Sequence, residues 1–321
     1  MIPFLLRVVL LLGVVAGAQW LTFQICPVKL PEFDFESRLK SFSPNGIPVV
    51  FMGDSVITKG GKNEVDPQSI IDHFATITPK CSVLALDHAA MFPAIEREIL
   101  SWVEKRGVKP KLLILPVNLR AFSAGWRLNP GFQFPTARTA LKFDGTISPA
   151  WRRGLFVWKV FSSQPVTHKE YETAYSTWAA EFAPELSKCS PHRKMFMEAY
   201  LYRLTRDDAL VQDIQAILGH YREKGTRCLV YVTPVDVQSA GELDPTLVSV
   251  MQRNIDLLAE ISRAEGATFL DLHGILNPEV FTWKEENLAT EHLYGPGRAR
   301  VAAELSTASQ EMLGLPKTEN K

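Results

Sequence analysis

Ser55, Asn118 and His292 are the residues whose types and settings suit covalent chemistry. Ser55 closes Gly53-Asp54-Ser55, directly after the apolar run Pro48-Val49-Val50-Phe51-Met52. A short buried strand that breaks into a Gly-Asp-Ser turn leaves the serine hydroxyl at the carboxyl edge of a sheet. That hydroxyl needs a base to become a nucleophile. His292, in Glu291-His292-Leu293-Tyr294-Gly295-Pro296-Gly297, precedes a helical stretch over 298–306, a setting that suits a general base held on a rigid turn. The Ser55 N–H can face a developing oxyanion. The same tripeptide equally suits an Asp or Ser that only caps the following helix.

Asn118 ends the run Leu113-Ile114-Leu115-Pro116-Val117, at the edge that carries Ser55 if the strands are parallel. Ligands of open α/β sheets bind outside those carboxyl ends. The Asn118 amide can donate to an oxyanion, or satisfy its own loop backbone. Arg120 reads as a surface salt bridge ahead of a group that orients an anionic substrate. Of the other histidines, His88 ends the second strand and lies near the same edge, His73 falls in the helix after Ser55, and His273 follows Asp271.

Five apolar runs read as buried parallel strands: 49–52, 82–86, 112–117, 228–233 and 268–272. Helical patterns over 94–105, 208–223 and 247–264 separate them, each followed by a glycine (Gly107, Gly225, Gly266) that can end a helix. The alternation predicts an α/β fold, a three-layer α/β/α sandwich with a five-stranded parallel sheet. One domain over 45–315 is expected, with a polar tail at 316–321. An aromatic-rich insertion at about 119–205 interrupts the rhythm. It holds Trp126, Trp151, Trp158 and Trp178 and reads either as a lid over the strand ends or as a satellite core.

With 35 basic and 35 acidic residues, the chain lacks the basic excess of a nucleic-acid binder. Residues 1–25 read as a signal peptide or N-terminal membrane anchor. Arg7 precedes Val8-Val9-Leu10-Leu11-Leu12, and Ala16-Gly17-Ala18 fits a cleavage site. Either form places the domain outside the cytoplasm. The four cysteines, Cys26, Cys81, Cys189 and Cys228, form no CxxC pair, so no zinc site is expected, and an exported chain can hold up to two disulfides.

Gly53-Asp54-Ser55, Asn118 and His292, in that order on that topology, resemble the SGNH (GDSL-type) hydrolases across about 45–312. The N-terminal segment and Asn118-Leu119-Arg120-Ala121-Phe122-Ser123 with Trp126 also resemble the membrane-anchored branch that includes D-alanyl transfer proteins of the DltD type. The resemblance implies a flavodoxin-like sheet, with Ser55 as nucleophile and His292 as base. It implies that the Ser55 N–H and Asn118 form an oxyanion hole, and that no cofactor or metal is used. Two positions depart from the family. Ala289 stands where an aspartate three residues before the histidine is usual, which leaves Glu291, Glu286 or a backbone carbonyl to hold the imidazole. Leu86-Asp87-His88-Ala89-Ala90-Met91 lacks the glycine that follows strand two, and Ala89 is the residue left to offer its N–H.

The function so implied is an exported serine esterase or O-acyltransferase, acting on acyl esters of envelope glycan, polysaccharide or lipid. The alternative is a catalytically impaired binding or assembly component of the envelope. A phosphoryl-transfer enzyme is disfavoured by the absence of a GxxxxGK[ST] loop.

Overall fold

The computed structural model describes residues 6, 10–17, 35–58, 60, 64, 66–135, 137–138, 141, 168–181 and 189–316. The chain divides into two units, one of Met1–Asp34 with Phe134–Pro165, the other of Phe35–Gln133 with Val166–Lys321. In the first unit, residues 10–17 are helical and exposed. Among the described residues no helix is long and apolar enough to cross a membrane. Most of 1–25, together with Trp151, Trp158 and Cys26, lies outside the described residues.

The second unit begins with α1 (Phe35–Ser41), β1 (Ile47–Gly53), α2 (Ser55–Thr58), α3 (Ile70–Ile77), β2 (Cys81–Asp87), α4 (Pro93–Lys105) and β3 (Leu112–Val117). A 3-10 turn over Leu119–Phe122 follows, then the short α5 (Ala124–Arg127), α6 (His168–Glu181) and α7 (Pro191–Tyr200). The α/β rhythm resumes with α8 (Ala209–Glu223), β4 (Arg227–Val232), α9 (Val237–Leu243), α10 (Pro245–Ala264), β5 (Thr268–Asp271), α11 (Trp283–Glu286) and α12 (Gly295–Leu313). Gly107, Gly225 and Gly266 take left-handed φ angles just past α4, α8 and α10, where a side chain would be strained.

The five strands are all parallel, in the order β2-β1-β3-β4-β5. This is the flavodoxin-like order, with its switch point between β1 and β3. Ser55 and Asn118 leave those two strands at the same edge and so flank the crevice where such sheets bind ligands. The central strands β1, β3 and β4 supply the fully buried residues, among them Val49, Phe51, Leu113, Ile114, Leu229 and Val230. Not all five runs are buried as the apolar pattern led one to expect. β2 and β5 are the edge strands, and Phe269 and Leu270 stay half-exposed where, among the described residues, no strand pairs on the outer side of β5.

Two contacts place the site elements. A Cβ on Gly53 would sit 1.8 Å from the Ile57 Cδ1 atom and 2.7 Å from its Cγ1, so a side chain there would have to displace the buried Ile57 that packs the first turn of α2 against β1. Arg298, buried at the start of α12, donates to the carbonyls of Gln68, Leu293 and Asp66 at 2.7, 2.6 and 2.6 Å. It thereby ties the segment after Ser55 to the segment that carries His292. Cys81 and Cys228 are free thiols. They start β2 and β4, three strand spacings apart. Three spacings come to about 14 Å, beyond the ~7 Å Cα limit of a disulfide. Burial pushes the Cys228 thiol up to about 12.

Candidate active site

His292 reaches Ser55 across 237 positions of chain: its Nε2 lies 2.9 Å from Ser55 Oγ, and both residues are buried. Its Nδ1 faces the Glu286 carboxylate, 2.8 Å from Oε1 and 2.9 Å from Oε2. With the ring hydrogen on Nδ1, His292 donates to Glu286 and accepts from the Ser55 hydroxyl, so one tautomer satisfies both contacts. Glu286 is itself fixed by Thr282 Oγ1 and Thr290 Oγ1, each donating at 3.0 Å.

Local backbone pairing brings Glu286 to the ring. Phe281 and Leu293 form an antiparallel bridge, flanked by Thr282 N–H to His292 O at 3.0 Å and Tyr294 N–H to Val280 O at 2.9 Å. Between these pinned ends the chain makes the single turn α11. It ends at Asn287, whose left-handed φ of 52° reverses the path. The acid therefore stands six residues before the histidine.

Protonation follows from the surroundings. Burial pushes the His292 imidazole below its ordinary value near 6.5, and the bond to Glu286 does not restore it, so the ring is neutral and able to accept a proton at neutral pH. Burial would raise the Glu286 carboxyl, but the hydrogen bonds from His292, Thr290 and Thr282 outweigh it and hold the group below the usual carboxylate range.

Glu291, one of the three groups left to hold the imidazole, turns the other way. Adjacent side chains of an extended segment point to opposite sides, and the Glu291 carboxylate is fully buried against Arg120 Nη2 at 3.0 Å and Tyr200 Oη at 2.7 Å. Arg120 is likewise no surface residue. It is buried beneath Trp126, its guanidinium 4.1 Å from the ring centroid, and donates to Ala289 O at 3.3 Å. Sequence inspection gives no signal for Tyr200, which α7 brings in from the insertion. Glu291→Gln is expected to destabilise the fold by about 3–5 kcal/mol, because the Arg120 charge would stay buried without its partner. Urea unfolding of the two proteins measures this, and equal midpoints would contradict it.

Asn118 does stand at the Ser55 edge, but its amide is engaged. Nδ2 donates to Asp54 Oδ2 at 2.7 Å and lies 3.4 Å from Glu291 Oε2, while Oδ1 accepts from Arg120 N–H at 3.0 Å. The first bond fixes the amide plane. The second is long and weak, and it is the hydrogen an oxyanion could compete for. After β2 the residue in the left-handed region is Ala90, with φ of 63°, not Ala89. It is buried. An alanine held there stores strain of the kind that collects at functional turns. His88 adjoins the same turn, its N–H bonded to Gly53 O at 3.0 Å and its Nδ1 2.9 Å from Ala89 O.

A second acid lies behind the site. Glu96 on α4 is buried and borders a small cavity with Asp54 and Asn118. Among the described residues its Oε2 has no hydrogen-bond partner. Burial, reinforced by the Asp54 charge, pushes its carboxyl well above the ordinary range. Because the folded value lies above the unfolded one, the Glu96 contribution to stability is fully present below the unfolded value near 4.5 and is lost as pH rises through the folded one. Glu96→Gln removes that slope. From pH 5 to pH 8 the variant is expected to gain on wild type by roughly 1–3 kcal/mol in urea unfolding, and a gap that does not change with pH would refute this.

No family model matches the chain, and no curated protein matches it. Among solved structures, the chain is similar to a GDSL-like lipase candidate from Parabacteroides merdae (10% identity, 86% of this chain and 99% of that one, TM-score 0.41). A lipase/acylhydrolase from Enterococcus faecalis (10% identity, 85% and 99%, TM-score 0.39) is also similar. So is an acetylxylan esterase from Geobacillus stearothermophilus (11% identity, 87% and 100%, TM-score 0.35). Likeness at this level sets no activity for this chain. What Ser55 can do is decided by its own surroundings.

Proposed function

We propose that this chain is a serine esterase or O-acyltransferase of the SGNH type, exported, and acting on acyl esters of envelope glycan, polysaccharide or lipid. The observation that carries it is the unbroken chain Ser55 Oγ, His292 Nε2, His292 Nδ1, Glu286. Ser55 Oγ bonds to the ester carbonyl carbon as its proton passes to His292 Nε2. Glu286 stabilises the imidazolium that forms. The carbonyl oxygen takes the negative charge beside the Ser55 N–H and the weakly held Asn118 hydrogen. On collapse the C–O bond to the alcohol breaks and His292 returns the proton to that alcohol. Water or an acceptor hydroxyl then attacks the acyl carbon and gives its proton to His292, the acyl C–Oγ bond breaks, and His292 returns the proton to Ser55 Oγ, completing hydrolysis or transfer.

The test is turnover of 4-nitrophenyl acetate by the full chain, with methyl glucoside as a competing acceptor. Nitrophenolate release with acetate as the other product marks an esterase, and acetylated glucoside marks a transferase. A folded protein that releases no nitrophenolate would refute the proposal. One observation favours the second reading, a binding component without turnover: both Nδ2 contacts of Asn118 are carboxylates.

Export is supported by Arg7 ahead of the apolar run, since positive charge holds the N-terminus inside. A C-terminal alkaline phosphatase fusion is expected to be active and a C-terminal cytoplasmic fluorescent reporter dark. The opposite pair of results would remove the envelope from the proposal.

A further inference from the structure

Tyr171, Tyr175 and Trp178 stand at i, i+4 and i+7 on α6 and so share one helix face. Their rings follow one another, with centroids 6.3 Å apart at 27° and then 5.9 Å apart at 37°. All three are half-exposed. An aromatic face left partly in water points to an apolar ligand surface.

Tyr175 and Trp178 line a cavity of about 100 Å³ that residues of α5 and α7 also border. The rings are preset: Trp178 Nε1 donates to Leu201 O at 3.0 Å, and the Tyr175 hydroxyl donates to Glu198. The Arg127–Asp208 ion pair, at 3.1 Å, lines the same cavity. Among the described residues, the Arg127 Nε atom is buried without a hydrogen-bond partner.

We propose that this cavity is a subsite for the sugar chain of the substrate, with Trp178 and Tyr175 as stacking platforms and Arg127, Asp208 and Glu198 as hydroxyl partners. It rests on the glycan-ester function above and selects glycan over lipid within it. A pyranose has a C–H face, weakly positive, that suits the negative face of an aromatic ring. Its hydroxyl edge both accepts from a guanidinium and donates to carboxylates. A lipid chain would instead desolvate Arg127, Asp208 and Glu198 with nothing in return. The placement suits an extended substrate. Phe122 and Ser123 in the cavity wall follow Asn118 from the Ser55 edge of the sheet, and the Tyr202 hydroxyl donates to Leu119 O.

The test is calorimetric titration of the full-chain Ser55→Ala protein with cellohexaose, xylohexaose, chitohexaose and mannohexaose. At least one is expected to bind, and Trp178→Ala in the same background is expected to weaken that binding by roughly tenfold or more. Where Trp178→Ala melts early, Glu198→Gln serves as the second variant, with a weakening of several-fold expected. Binding of none of the four sugars, or binding unchanged in the folded variants, would overturn the subsite. A wild-type protein that binds sugar but releases no nitrophenolate leaves the subsite standing and refutes the esterase.

Discussion

Ser55→Ala is expected to lower kcat on 4-nitrophenyl acetate by on the order of 10⁴-fold or more, with the fold intact. The substitution deletes the atom that forms the acyl bond and leaves His292 with no proton to accept. Its structural cost is small, since among the described residues the hydroxyl makes one hydrogen bond, to His292, and loses about 1 kcal/mol with it. Steady-state kinetics and a thermal melt separate the two effects. A folded alanine variant within tenfold of wild type would remove Ser55 from the mechanism.

Glu286→Gln is expected to cost on the order of 10³–10⁴ in kcat. The amide nitrogen can donate to His292 Nδ1, which moves the ring hydrogen to Nε2, where it blocks acceptance of the serine proton. The pH profile carries a second signature. Glu286 raises the His292 value against burial, so removing its charge lets that value fall. The acid limb of log kcat/KM, set by protonation of the base, should move to lower pH, and it should move less for Glu291→Gln. A limb displaced upward would contradict the geometry. Stability adds a check. The folded Glu286 value is depressed, so its contribution is present above the unfolded value near 4.5 and fades as pH falls through the folded one. The gap in unfolding free energy between wild type and Glu286→Gln should narrow in acid.

Much of the framework is legible in the residues because its physics is local. Apolar runs bounded by glycine make strands, and periodic apolar faces make the helices between them. The parallel sheet then sends Ser55, Asn118 and the segment toward His292 to one edge. What escapes is set by contacts that local pattern does not encode. Glu286 reaches His292 through the bridge between Phe281 and Leu293 and the reversal at Asn287, neither of which the spacing advertises. Glu291 sits next to the histidine in sequence, yet strand alternation sends it to the other side. Arg120 reads as a surface residue because arginines are seldom buried unpaired, and its partner comes from 171 residues away. Tyr200 belongs to an insertion whose path the strand–helix rhythm does not constrain. The sequence left Ala89 to offer its N–H after β2, and the left-handed φ of that turn falls on the next residue, Ala90, which no glycine marks.

The central claim is that Ser55 is an activated nucleophile. Incubation of the full chain with a fluorophosphonate probe, followed by peptide mass spectrometry, tests it without any choice of substrate. The serine oxygen attacks phosphorus, fluoride leaves and His292 takes the proton. The expected result is one stable phosphonyl adduct on Ser55, absent in Ser55→Ala and strongly slowed in His292→Ala. A folded wild-type protein that stays unlabelled, or that carries the adduct on another serine, would contradict it.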